Sequence, residues 1–310
     1  MTNGPAVWIG FNAFIVLALV VDLFVLHREA RQVRLREALF TSAVWIAIAL
    51  LFAAALAWFE GRGPALQFLT GYVIEESLSV DNLFVMLVLF SHFAIPEQYQ
   101  HRVLFWGILG AMVMRLSLIV AGVALVNALH FMLYVFGAIL IWSGIQMFRH
   151  AEPDLDPDQS VGLRLLRKFF PITPRLEDGR FVVKRDGRWW ATPLLAALVA
   201  IEFADLVFAV DSVPAVIAVS RDPFIVYSSN ALAILGLRSM YFALAGVIRA
   251  FRFLHVGLAS VLVFVGLKMI VHDWYDIPTG VTLAVVVLML AASLVASRLA
   301  PPAKAKFPPG

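Results

Sequence analysis

Cysteine is absent from the 310 residues, which excludes disulfides, thiolate zinc or iron–sulfur sites and a cysteine nucleophile. Whatever chemistry the chain performs uses oxygen and nitrogen atoms. Charge is scarce as well: 15% of residues are Asp, Glu, Lys or Arg, against about 25% in an ordinary soluble domain. No glycine-rich phosphate loop and no GxGD protease sequence occurs, so an enzyme is not expected. What fills the chain instead is apolar. Hydrophobic residues make up 62%, against about 45–50% in soluble domains, and mean hydropathy is +0.88. A single water-soluble core cannot hide that surplus, so the solvent for most of this surface is lipid.

A hydrocarbon core of about 30 Å takes roughly 20 apolar residues per helix. By that measure the sequence predicts an all-α polytopic membrane protein, one transmembrane domain over 1–310 with about nine spans. They lie near 6–26, 39–59, 66–92, 103–127, 131–148, 193–219, 224–248, 254–271 and 279–299. The opening MTNGPAVWIG has no basic n-region and runs directly into the first span, so a retained helix is expected rather than a cleaved signal.

Basic residues set the expected orientation, because Lys- and Arg-rich loops stay on the cytoplasmic side. HREARQVRLRE after the first span and the loop at 149–192 fall on one side and hold many of the 24 basic residues. The N-terminus is therefore expected outside and the C-terminus in the cytoplasm, in the inner (cytoplasmic) membrane. The basic balance, pI 9.3, then reflects topology against a lipid bilayer, and no nucleic-acid partner is expected. Within 149–192 the pattern predicts a linker, a short interfacial amphipathic helix and a hairpin turning at Asp186-Gly187, a cytoplasmic connection between two halves.

Several charges fall where lipid should be: Glu75, Glu76 and Asp81, then Arg115, then Glu202, Asp205 and Asp211, then Arg238. On insertion scales each costs roughly 2.5–3.5 kcal/mol at a helix centre. Left alone, they would together outweigh a typical folding stability of about 5–15 kcal/mol. They must be paired, protonated, hydrated or ligated. Counted from the outer end of each span, Glu75 is level with Asp211 and Asp81 with Asp205, while Arg115 and Arg238 sit at the same depth. The carboxylates outnumber the arginines. That leaves oxygen ligands for a hard divalent ion, Mn²⁺, Mg²⁺ or Ca²⁺, or for protons, with Asn82 and Ser212 as further donors. Arg115 and Arg238 are expected to hold acids in place and compete with the cation. No permanently bound cofactor is expected. Glu76, on another helix face, is the weakest candidate.

The two acidic helices also look like copies. SVDNLFVM from Ser79 matches AVDSVPAV from Ala209, and ILGAMVMR before Arg115 resembles AILGLR before Arg238. Spans three to five and six to eight would then form an inverted repeat of three helices each, an architecture that places a substrate at the repeat interface. At 100° per residue, Glu75 and Asp81 do not share one stripe, nor do Asp205 and Asp211. Either these helices are surrounded by protein or they unwind, and Pro214 favours unwinding in the second.

EESLSVDN at 75–82, EFADLVFAVDSVPAV at 202–216 and RDPFIVYSSNALAILGLRSMYF at 221–242 resemble the signature segments of the TerC family, its Alx-type members in particular. The resemblance covers nearly the whole chain. It implies an inner-membrane protein of the wider LysE-like transporter group, linked to manganese homeostasis as an exporter. The family's acidic membrane residues would carry over to Glu75, Asp81, Glu202, Asp205 and Asp211. The expected function is thus export of a divalent metal, Mn²⁺ foremost, by cation/proton exchange. A membrane-assembly or stress-response scaffold with structural ion pairs, or a cation channel, stands as the alternative.

Overall fold

The computed structural model describes residues 4–21, 35–129, 131–149, 161–177, 179–185, 187–245, 253–275 and 277–299. The chain is mostly helical: α1 Pro5–Val21, α2 Leu35–Phe59, α3 Arg62–His92, α4 Glu97–Ala128, α5 Met132–Arg149, α6 Val161–Phe169, α7 Pro193–Ile217, α8 Pro223–Ala245, α9 Leu254–Val271 and α10 Thr279–Leu299. A two-stranded antiparallel hairpin, β1 Val182–Arg185 and β2 Arg188–Ala191, stands between α6 and α7. Five helices, α2, α4, α5, α7 and α10, are long and apolar enough to cross a membrane, and α1 and His255–Val271 of α9 are shorter apolar helices. This is a multi-pass membrane protein. The ends of two expected spans, 22–26 and 246–248, lie outside the described residues.

Helix ends follow from local chemistry. Pro193 opens α7 at a position where its missing N–H is not needed. Pro223 opens α8, and Asp222 Oδ1 accepts from the backbone N–H of Phe224 at 2.8 Å, capping the first turn. The end of α3 is a paired closure in which Ile95 N–H reaches Phe90 O and Ala94 N–H reaches Ser91 O. Ala94 takes the left-handed conformation there, φ +49°, where glycine is usual.

Packing centres on α3, which contacts α2, α7, α8 and α10. The contacts are reciprocal: α3 lies along α8 as α4 lies along α7, and α5 lies along α9. Small residues let α5 and α9 approach backbone to backbone. A Cβ on Gly266 would come within 2.7 Å of the Gly137 carbonyl oxygen, and one on Gly144 within 2.8 Å of the Ala259 carbonyl oxygen. Two large apolar cores result among the described residues, beside a small one at Leu163, Leu166, Ala191 and Ala196. One joins α1, α2, α3, α4, α7 and α8 around Phe68, Phe90 and Phe224, and the other includes Leu140, Val216 and Val265.

The segment before α7 contains the expected amphipathic helix and hairpin. Leu163 and Leu166 of α6 are buried, while Arg164, Leu165, Lys168 and Phe169 are exposed. The hairpin pairs Val182 with Ala191 and Arg185 with Arg188, and Gly187 supplies the positive φ of +76° that its turn requires. Arg102 of α4 secures this segment by donating to the Gly179 carbonyl at 2.9 Å.

Pro214 does not break α7, which is helical without interruption to Ile217. The proline sits in the last turn, where one lost bond is tolerable, and Ala218 N–H still reaches Pro214 O at 2.9 Å. Likewise α3 runs unbroken through all its acidic residues. The expected unwinding is replaced by the other option: these helices are wrapped by protein, so acids on different faces meet different neighbours.

Candidate functional site

The centre of the molecule is a closed polar cluster on four helices. Arg115 of α4 is 1% exposed and Glu75 of α3 is 0% exposed, so neither meets solvent. The Arg115 guanidinium uses its whole donor edge. Nε donates to Asp205 Oδ2 at 3.1 Å and Nη2 to Asp205 Oδ1 at 2.7 Å. Nη1 forms an ion pair with Glu75 Oε1 and reaches Ser212 Oγ and Asn230 Oδ1, each at 3.2 Å. Such fork-to-fork pairing is the strongest arrangement available to these groups.

Two asparagines complete the cluster. Asn230 of α8 bridges its members, since its Nδ2 donates to Glu75 Oε2 at 2.8 Å while its Oδ1 accepts from Arg115. Asn82 Nδ2 donates to Asp205 Oδ1 at 3.2 Å. Among the described residues, the side-chain carbonyl oxygen of Asn82 is buried with no hydrogen-bond partner, and so is the Ser79 hydroxyl oxygen, one turn earlier on α3. Desolvated oxygens of this kind are expensive to leave idle.

The charge balance is uneven. Among the described residues of the cluster, two carboxyl groups face one guanidinium, so with both ionised they hold one surplus negative charge away from water. Burying an ion carries a penalty of several kcal/mol. One proton, or one further cation, would neutralise it.

The predicted residues therefore divide. Glu75, Asp205, Arg115, Ser212 and Asn82 meet in one cluster. Asp211, although next to Ser212, points to α5, where the Ser143 hydroxyl donates to its Oδ1 at 2.7 Å. Glu202 lies against α4 at Gly110, where an added Cβ would collide with its carboxylate. Arg238 is buried on α8, within electrostatic reach of His101 of α4. Glu76 receives the Tyr72 hydroxyl and, like Trp45 of α2, lies close to Gly236 of α8. The side chain of Asp81 lies outside the described residues. Among the described residues, no three of His, Asp and Glu gather closely enough to hold a metal ion. Asn230 and Ser143 were not anticipated, and the signal for Asn230 was an amide inside a membrane span.

Comparison with known proteins agrees with a multi-pass membrane protein. Residues 60–305 match the description "Integral membrane protein TerC family". An uncharacterized membrane protein of Myxococcus xanthus is 49% identical over 295 residues, covering 95% of this chain and 92% of that protein. Proteins carrying the provisional name membrane-bound redox modulator Alx are 44% identical in Salmonella typhi and 43% identical in Escherichia coli K12. Each alignment covers 94% of this chain, and 93% and 94% of those proteins respectively. No solved structure matches. With most of its length matched and relatives of this identity aligned almost end to end, the chain belongs to the TerC family of integral membrane proteins.

Proposed function

We propose that this protein is a secondary transporter that exports a divalent metal cation, Mn²⁺ as substrate, in exchange for protons across the bacterial inner membrane. The observation that carries the proposal is the Arg115 cluster. A guanidinium lies between Glu75 and Asp205, Asn82 bonds to that Asp205, and among the described residues the buried side-chain oxygens of Asn82 and Ser79 on α3 have no hydrogen-bond partner. All these donors are hard oxygens, the set that suits Mn²⁺, Mg²⁺ or Ca²⁺.

In this arrangement Arg115 stands where a cation would. Displacing its guanidinium would open Glu75, Asp205, Ser212 and Asn82 to a metal ion, and its return would expel the ion. Asp211, Glu202 and Asp81 would join as ligands or proton carriers during the change, with Arg238 acting as Arg115 does. The reciprocal packing of α3 on α8 and α4 on α7 supports the inverted repeat, with the ion between the repeats of a bundle of about nine spans. The basic residues support an N-terminus outside, a cytoplasmic C-terminus and a cytoplasmic 149–192 connection. A redox role for the relatives would have to use groups other than thiols in this chain, which has no cysteine.

The test is Mn²⁺ flux by the purified protein in sealed vesicles under an imposed pH gradient, with Mg²⁺ and Ca²⁺ as competitors. Flux driven by the gradient and lost in folded Glu75→Gln and Asp205→Asn variants is expected. Wild-type flux in both folded variants, or none from the wild type, refutes it, and flux indifferent to the gradient indicates a channel. The closed pairing of Arg115 favours one further reading, a scaffold in which the cluster only fastens helices. Under that reading both variants lose abundance in proportion to any loss of phenotype.

A further inference from the structure

A file of residues links the Arg115 cluster to a cavity at one end of the bundle. The cavity, about 310 Å³, opens where α7 and α9 end and where α5 and α10 begin, and Gln67, Ile217 and Ser220 are part of its wall. On α3, Gln67, Gly71 and Glu75 follow one another at intervals of four and so share one face. Ser212, Val216 and Ser220 do the same at the end of α7, where Ser220 N–H still reaches Val216 O at 3.1 Å. The two rows run antiparallel and meet rung by rung. Ser220 Oγ donates to Gln67 Oε1 at 2.9 Å, Val216 lies against Gly71, and Ser212 shares the Arg115 guanidinium with Glu75.

The middle rung is shut. A Cβ on Gly71 would come within 2.9 Å of both Val216 Cγ1 and the hydroxyl oxygen of Ser229 on α8, and Val216 and Ser229 are themselves buried. Ser229 donates its hydroxyl hydrogen to Val226 O at 3.0 Å, which leaves the oxygen lone pairs for an incoming donor or cation. Asn230, the next residue, already belongs to the cluster, donating to Glu75 Oε2. At about 1.5 Å per residue, roughly 12 Å of α3 separates the Gln67 rung from Glu75. Val216, Ser229 and Gly71 therefore stand between the cavity and the buried charges. A constriction with an apolar side chain across it excludes ions and water while closed.

We propose that this file is the ion's path between the Arg115 cluster and the cavity, with Val216 and Ser229 closing against Gly71 as its gate. Glycine at position 71 lets three helices close on one another, and separation of α3 from α7 and α8 would bare the Ser229 oxygen to the cavity. On the topology proposed above the cavity faces outward, which makes the file the release path of an exporter. The inference rests on the transport reading, and its test separates the two.

The absence of cysteine makes the test direct. Ser229→Cys is introduced into the full chain in sealed vesicles, and its modification by a charged, membrane-impermeant methanethiosulfonate on both sides of the membrane is followed by mass. Ala231→Cys, equally buried in the apolar core two residues further along α8, is the control. Slow modification of Ser229→Cys at rest is expected, with a rate higher by about tenfold or more during Mn²⁺ flux and loss of that flux once the thiol is modified. Gly71→Ala wedges the closed rung, so it should raise the resting rate at Ser229→Cys by about tenfold and leave Ala231→Cys unreactive. If Gly71→Ala does not fold, Val216→Ala, which removes the apolar half of the rung, should raise the same rate. Both variants read the gate without flux. Flux in the wild type with Ser229→Cys unreactive throughout, or equal rates at Ser229→Cys and Ala231→Cys, overturns the path and leaves the transporter standing. No Mn²⁺ flux from the wild type overturns the transporter, and the ion path with it.

Discussion

Asp205 meets Arg115 fork to fork, its Oδ1 accepting from Nη2 at 2.7 Å and its Oδ2 from Nε at 3.1 Å, with both residues sealed from solvent. A pair of this kind is costly to break from one side. Arg115→Met is expected to destabilise the protein by about 3–5 kcal/mol, because it leaves Glu75 and Asp205 without their cation. The double variant Arg115→Met/Asp205→Asn should lose less than the two single losses added together. Unfolding midpoints for the four proteins of this cycle check it, and strict additivity would show that the two side chains are not coupled.

Glu202 rests against the bare backbone face of Gly110. A methyl group there must push the carboxylate aside or force α4 and α7 apart. Gly110→Ala is expected to cost about 1–3 kcal/mol. Combining it with Glu202→Ala should recover most of that loss in the same unfolding assay, because the colliding group is then removed.

At the α5–α9 contact the nearest atom to an added Cβ on Gly266 is backbone, which cannot swing aside. An alanine at Gly266 would place its Cβ 2.7 Å from the Gly137 carbonyl oxygen, so the two helices themselves would have to separate. Gly266→Ala should therefore lower the unfolding midpoint clearly. Gly10→Ala in α1 is the control: nothing lies within 4 Å of its added Cβ, and removing an interior helical glycine should stabilise by about 0.5–1 kcal/mol. Equal effects at the two positions would contradict the close packing.

Ala94 holds φ +49° at the end of α3. A left-handed non-glycine residue costs roughly 1–2 kcal/mol. Ala94→Gly should relieve about half of that or more, offset by the extra freedom of glycine in the unfolded chain. Thermal unfolding reads the change directly, and destabilisation would mean that the methyl group makes a contact worth more than the strain.

Some of this was legible one residue at a time. Composition and the spacing of apolar runs point to lipid as solvent, since a helix in hydrocarbon must satisfy its backbone internally and carry apolar side chains outward. The burial cost of Glu75, Asp205 and Arg115 implies partners for each, and depth counting places Asp81 level with Asp205, whose observed contact, at 3.2 Å, is with the next residue, Asn82. Depth does not determine azimuth. Asp211 and Ser212 are adjacent in sequence yet face different helices, one toward Ser143 and the other toward Arg115. Asn230 was passed over because an uncharged amide carries a small insertion cost, and its importance lies in touching Glu75 and Arg115 at once.

From sequence alone came the membrane medium, the positions of the helices and the need to neutralise buried charge, because each depends on a residue's own transfer cost or on local periodicity. Which acid binds which base, the unbroken course of α7 through Pro214 and the closure of Val216 and Ser229 on Gly71 were decided by tertiary structure. They depend on the rotation of each helix about its axis, and that rotation is set by packing among helices distant in the chain.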